Sequence, residues 1–318
     1  MVLLHDPYNR NFTTLRVSLL SRCNLSCVYC TMGEDEVKEN NLHQHPAAPE
    51  KLLQQINQLH QVLQLQTIRL TGGEPLLYPG LLPLIKGIQQ MGIPAIKLTS
   101  NGFLLERLAQ PLKTAGLQSI NVSLDAVDED VFFLMSKRNH VQKVLNGIDA
   151  AIDAGLQVKI NAVLMKGMNE HQVIPLLEFA FKRNISIRFL EIMAMGHLHA
   201  NASQYIFTQQ EMLQLVQTKY NISKIARIPG STANYWQTER GHRFGIIANE
   251  SEPFCHDCNR LRLDSNGNIY GCLSSNHPID ISETNDAATL ISKLQQAMDQ
   301  KQQLKFTGSE LSMLHIGG

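Results

Sequence analysis

The sequence predicts an α/β fold, a partial barrel of six β/α units followed by a C-terminal α+β region that closes it. Three observations carry that prediction. Short β-rich runs alternate with longer amphipathic patterns over the first two thirds of the chain. The alternation fades after about residue 200. Six cysteines fall as two tight sets of three, with 224 positions between them.

The strands are expected at 15–20 (LRVSLL), 67–73 (TIRLTGG), 95–102 (AIKLTSNG), 119–126 (SINVSLDA), 158–165 (VKINAVLM) and 185–192 (ISIRFLEI). Between the first two lies PEKLLQQINQLHQVLQL (49–65), whose leucines and isoleucine recur at helical spacing. A second helical pattern, VQKVLNGIDAAIDAGL (141–156), runs to Gly155, a residue suited to a helix C-terminus. Four strands run into polar or glycine clusters, TGGEP, TSNG, SLDA and KGMN. In parallel β/α arrays chemistry gathers at the C-terminal ends of strands, so one mouth should collect these clusters. Six units are too few to close an eight-stranded barrel, which leaves a side to be covered by something else.

Beyond residue 200 the pattern holds one helix, TQQEMLQLVQTKY, and then an irregular segment rich in Gly, Asn and Arg. The second cysteine set follows in PFCHDCNRLRLDSNGNIYGCL, where DSNG between apolar runs reads as a hairpin turn. A last helix, AATLISKLQQAMDQKQQL, leads to a tail ending in Gly317-Gly318. The expected division is therefore 1–200 and 201–318.

Composition narrows the function classes. The 28 basic and 28 acidic side chains cancel, which argues against a nucleic-acid-coating surface but leaves room for a local basic pocket. No run approaches the roughly 18–20 apolar residues of a membrane span. The N-terminus turns polar too early for a signal peptide, so a cytoplasmic location is expected. In that compartment clustered thiols suggest metal rather than disulfides.

Cys23, Cys27 and Cys30 follow the first strand with C-x3-C-x2-C spacing. Three thiolates can hold three irons of a [4Fe–4S] cube, leaving the fourth iron open to a small molecule. Zinc completed by His43 or His45 is the alternative. Cys255, Cys258 and Cys272 again number three, and zinc with His256 or His277 stays open there.

The first motif, with Tyr29 before the third cysteine, resembles the signature of the radical S-adenosylmethionine (AdoMet) enzymes, as does Gly72-Gly73-Glu74-Pro75 on the second strand. The segment CHDCNRLRLDSNGNIYGCL further resembles the C-terminal cluster segment of the GTP 3',8-cyclases, radical AdoMet enzymes that open molybdenum-cofactor biosynthesis. That similarity runs from Leu15 to Gly318 through RLTGGEPLL, NVSLDA, VKINAV, KGMN, IRFLEIM, GCL and the terminal Ile-Gly-Gly. It implies a partial (βα)6 TIM-like barrel of the radical AdoMet type, with AdoMet and two [4Fe–4S] clusters as cofactors. Cys23, Cys27 and Cys30 would ligate the first cluster, and Cys255, Cys258 and Cys272, in the α+β region, the second, whose open iron would take the guanine of GTP. The AdoMet contacts implied are Tyr29, Gly73, Ser123 and Met193. The GTP contacts implied are Arg16, Arg69, Thr99, Lys159 and the stretch Arg260, Leu261, Arg262, with Arg188 a further phosphate candidate. Arg16, Arg260, Arg262, Gly317 and Gly318 would serve catalysis, the last two by reaching the active site from the tail.

The reaction implied is conversion of GTP to 3',8-cyclo-7,8-dihydro-GTP. The partners implied are a reductant such as flavodoxin or ferredoxin, a cyclic pyranopterin monophosphate synthase that receives the product, and a second copy in a homodimer, with no nucleic acid and no membrane. The sequence departs from the family at Ser21, at Thr31-Met32 and at Thr67, where a lysine is usual two positions before Arg69; residues 33–46 match nothing legible. A peptide-modifying radical AdoMet enzyme is the enzymatic alternative, and an Fe–S or zinc carrier or sensor the non-enzymatic one.

Overall fold

The computed structural model describes residues 4–33, 35, 37, 46–284 and 286–317. The six expected strands form at β1 (Thr14–Ser18), β2 (Thr67–Thr71), β3 (Ala95–Ser100), β4 (Ser119–Ser123), β5 (Gln157–Leu164) and β6 (Ser186–Glu191). Helices α1 (Pro49–Leu63), α2 (Leu81–Gln90), α3 (Leu105–Ala115), α4 (Glu129–Ser136), α5 (Val141–Asp153) and α6 (Val173–Lys182) lie between them. Pro49 starts α1, where its missing N–H costs nothing. Leu52, Ile56, Leu59 and Leu63 then bury one face of that helix. Gly155, with φ 73°, follows the end of α5, as its position predicted.

Period-two alternation sorts every strand. Leu15 and Val17 are fully buried in the layer under the helices, while Thr14 and Arg16 point the other way, into the barrel. Helix α4 was not expected, because EDVFFLMS carries a block of apolar residues rather than a helical stripe. The Asp128 side chain starts it by accepting from the Val131 N–H at 3.1 Å.

The C-terminal region adds α7 (Gln209–Gln217), β7 (Ile222–Ile225), β8 (Asn234–Thr238), β9 (Arg243–Ile247), β10 (Arg260–Leu263), β11 (Asn268–Tyr270), β12 (Ile279–Asp280), α8 (Ala287–Asp299) and α9 (Met313–Ile316). Its strands do not form a separate sheet. The strand order is β12-β11-β10-β1-β2-β3-β4-β5-β6-β9-β8-β7. Strand β10 pairs in parallel with β1, and β9 in parallel with β6. The six expected parallel strands are thus joined by two more, because the C-terminal region that was expected to close the array covers both of its edges. The DSNG turn does join an antiparallel pair, β10 and β11. Among the described residues no helix is long and apolar enough to cross a membrane.

Candidate functional site

Inward-facing side chains of β1–β6, β9 and β10 surround a cavity of about 870 Å³. At one lip stands the loop after β1. Cys23, Cys27 and Cys30 all line the cavity, and the turn is closed by the Cys30 N–H donating to the Cys27 carbonyl at 2.8 Å. Burial pushes the Cys23 thiol up to about 12, and Glu74 adds to it. Burial likewise raises Cys27 well above its usual value, with Asp125, Cys23 and Cys30 contributing.

The glycines after β2 hold this loop against the sheet. The Gly73 N–H donates to the Leu20 carbonyl and the Glu74 N–H to the Arg22 carbonyl, both at 2.7 Å. A Cβ on Gly73 would lie 2.2 Å from the Arg22 carbonyl oxygen, and one on Gly72 2.6 Å from that of Leu20. The glycines are therefore required by backbone contact with the strand end that leads into Cys23. Two buried carboxylates, missed by the sequence reasoning, organise the same lip. Glu74 accepts from Leu76 N–H, Ser100 Oγ and Asn101 N–H at 2.7–2.9 Å, while burial raises it to about 7. Asp125 accepts from the Tyr29 hydroxyl at 2.9 Å and the Val163 N–H at 2.8 Å; burial raises it to about 6. Both lie inside quoted motifs, GGEP and SLDA, which was the available signal. Tyr29, Gly73, Ser123 and Met193 all line the cavity.

The floor is cationic. Arg16 of β1, Arg69 of β2, Lys159 of β5 and Arg188 of β6 point inward, joined by Arg260 and Arg262 of β10 and by Lys97 of β3. Thr99 lines the same floor and receives a 3.4 Å hydrogen bond from Arg69 Nη1. Burial, then the nearby charges of Arg262, Arg69, Arg260 and Arg188, pulls Arg16 well below its usual value. The buried Nε of Arg16 has no hydrogen-bond partner among the described residues. Such a group suits an incoming anion.

At the opposite lip, Cys255, Cys258 and Cys272 line the same cavity. Burial and the two neighbouring thiols raise Cys255 to about 11. Burial opposes ionisation of Cys258, but Arg260 and Lys301 bring it down to about 6. Lys301 is buried and donates to Cys258 Sγ at 3.2 Å and to the Arg260 carbonyl at 2.9 Å. The C-terminal tail completes the mouth. Ser312 Oγ donates to the Cys30 carbonyl at 3.2 Å, and Arg262 Nη1 donates to the Gly317 carbonyl. A Cβ on Gly317 would sit 2.6 Å from Thr71 Cγ2.

Three thiols in each set open on one cavity, a donor set whose chemistry suits an iron–sulfur cluster. Among the described residues no three His, Cys, Asp or Glu side chains converge as ligands of one metal ion. A cube asks for thiolates that share a cavity, each meeting its own iron. His256 and His277, the zinc alternatives, are exposed and stand outside the cavity lining. His43, His45 and Gly318 lie outside the described residues. Within the Arg260–Arg262 stretch the Leu261 side chain is fully buried in the core, because it alternates with Arg260 and Arg262. Its side chain is not available to a nucleotide.

Comparison with known proteins agrees with this geometry. The family model for the radical SAM superfamily matches residues 17–180, and that for Molybdenum Cofactor Synthesis C matches residues 185–308. A GTP 3',8-cyclase of Staphylococcus epidermidis is 36% identical over 278 residues, covering 85% of this chain and 81% of that one. The GTP 3',8-cyclase of Pseudomonas fluorescens is 37% identical over 287 residues, covering 87% and 84%. Among solved structures, SuiB of Streptococcus suis bound to precursor peptide SuiA shares the fold with a TM-score of 0.69 at 14% identity, over 92% of this chain and 67% of that one. The anSMEcpe structure with bound AdoMet gives 0.61 at 15% identity, over 85% and 78%. The radical-enzyme match over the barrel and the cofactor-synthesis match over the C-terminal region meet in full-length relatives of one kind, and the chain belongs to the GTP 3',8-cyclase family of the radical SAM superfamily.

Proposed function

We propose that this chain converts GTP to 3',8-cyclo-7,8-dihydro-GTP, the first step of molybdenum-cofactor biosynthesis. The observation that carries the reading is the opening of both three-cysteine sets onto one cavity whose intervening wall is cationic. A dense polyanion such as a triphosphate suits that wall. In this reading residues 1–200 form the radical-generating part, with Cys23, Cys27 and Cys30 holding the first [4Fe–4S] cluster. Residues 201–318 hold the second through Cys255, Cys258 and Cys272. A cluster held by Cys23, Cys27 and Cys30 would supply, with AdoMet and one electron, the radical chemistry that hydrogen abstraction from the ribose C3′ requires.

The chain's own residues orient and enclose. Tyr29, Gly73, Ser123 and Met193 surround AdoMet. Thr99, Arg16, Arg69, Lys159 and Arg188 receive the nucleotide, whose triphosphate suits guanidinium forks and an ammonium. Arg260 and Arg262 project on one face of β10 beside the second thiol set, where they fix the purine end. Arg262 also holds Gly317, at the tail whose last two glycines the reading assigns to catalysis. Orientation of two reacting centres supplies roughly 7–11 kcal/mol of a barrier, so a cavity that grips both ends of GTP suits ring closure. The reading carries with it a flavodoxin- or ferredoxin-like donor, delivery of product to the cyclic pyranopterin monophosphate synthase, and a homodimer. It also places the enzyme in the cytoplasm, where six cysteines stay reduced for iron.

The test is anaerobic reconstitution with iron and sulfide, then AdoMet, reductant and GTP, with chromatography and mass analysis of the products. The expected result is about eight irons per chain, deoxyadenosine and a cyclised GTP, with Arg260→Ala and Arg262→Ala losing the cyclised product while still binding AdoMet. Deoxyadenosine without cyclised GTP would refute the substrate, and zinc without iron would refute the radical chemistry.

A further inference from the structure

Lys97 on β3 is a cation of the cavity to which neither the motifs nor the family resemblance gives a role. It is half-buried and projects inward, and among the described residues its ammonium makes no hydrogen bond or ion pair. Parallel pairing sets Arg262, Arg16, Arg69 and Lys97 side by side on four neighbouring strands, β10, β1, β2 and β3. Burial lowers the basicity of Lys97, and the charges of Arg69 and Arg188 lower it further. Lys159 is lowered by burial and then by Arg188, Lys97 and Arg69, which puts all four charges within one field.

No acid compensates them. Asp125 is the one carboxylate residue among the described lining, and it is engaged by Tyr29 and Val163 at the cysteine lip. Like charges gathered in a partly desolvated wall repel one another, and a bound polyanion offsets that cost. The next register row runs Arg260, Thr14, Thr67, Ala95, so the β2 position diagonal to Lys97 is the uncharged Thr67. Both side chains line the cavity.

We propose that Lys97 binds a phosphate group of the nucleoside triphosphate, supplying from β3 the positive charge that Thr67 lacks on β2. The proposal rests on the GTP reading above. Its test measures anaerobic binding of GTP and of guanosine to the reconstituted enzyme, with KM for GTP and iron content followed alongside. Lys97→Met keeps the apolar stem and removes the charge. It should weaken GTP binding and raise KM roughly tenfold, with guanosine affinity, AdoMet affinity and iron content unchanged. Adding Thr67→Lys to Lys97→Met should recover most of the lost GTP affinity.

GTP affinity within twofold of the wild type in both Lys97→Met and Lys97→Gln, while the wild type cyclises GTP, overturns the role of Lys97 and leaves the GTP reading standing. Equal loss of guanosine and GTP affinity, unrescued by Thr67→Lys, assigns Lys97 to the architecture of the barrel and also overturns it. A wild-type enzyme that neither binds nor cyclises GTP overturns both readings together.

Discussion

Gly73 meets two demands with one missing atom. It lines the cavity, and its backbone lies so close to the strand end before Cys23 that a Cβ would strike the Arg22 carbonyl at 2.2 Å. Backbone stands on both sides of that contact, so relief requires the cysteine loop itself to move. Gly73→Ala should therefore cost about 1–3 kcal/mol of stability. Under the two-cluster reading proposed above, it should also lower bound iron from about eight toward about four per chain, as the first thiol set loses its geometry. Unfolding curves and iron analysis check both numbers; full iron with wild-type AdoMet affinity would contradict the packing argument. Alternation along a strand explains the neighbouring successes and failures at this scale. Arg260 and Arg262 share the cavity face, Leu261 between them belongs to the core, and Lys97 shares the inward phase of Thr99. Lys97 was legible by that parity once Thr99 was placed, but a lysine alone in a strand carries no motif to draw notice.

At the scale of elements, the C-terminal region is fastened to the barrel by a carboxylate at the end of β6. Glu191 is buried and accepts from the Gln209 N–H at 2.8 Å, the Glu250 N–H at 2.9 Å and the Ser251 N–H at 3.0 Å, as well as from Ser251 Oγ. It thereby joins the start of α7 and the connection from β9 to β10 onto the sixth strand. Glu191→Ala would strand three backbone donors and should lower unfolding stability by about 2–3 kcal/mol, with Glu191→Gln losing less because its amide oxygen still accepts. Thermal or denaturant unfolding reads this directly, and a loss under about 0.5 kcal/mol for the alanine variant would show that water replaces the carboxylate. Nothing in the local pattern of IRFLEIM marked this role. The residues that Glu191 holds lie up to 60 positions away.

Over the whole molecule, both edges of the β1–β6 array are covered by strands from beyond residue 200, β10 against β1 and β9 against β6. A fragment ending at residue 200 would leave two parallel edges with unpaired N–H and C=O groups, which template association with other chains. Such a fragment should aggregate on expression, as read by light scattering; a monodisperse, cooperatively folding fragment would show that the barrel half stands alone. The sequence by itself determined the six β/α units, the two thiol sets and, through the family resemblance, the candidate cations Arg16, Arg69, Lys159, Arg260 and Arg262. Period-two burial, helical spacing and cysteine spacing are local, and short windows carry them in full. Only the tertiary structure decided that β9 and β10 extend the same parallel sheet, that both thiol sets face one cavity, and that Lys97 stands in register with three arginines. Those facts depend on which strands pair at a distance along the chain, Thr14 with Arg260 and Ile187 with Phe244 among them. That choice is made by the covering of open sheet edges and the burial of both sheet faces, and no short segment records it.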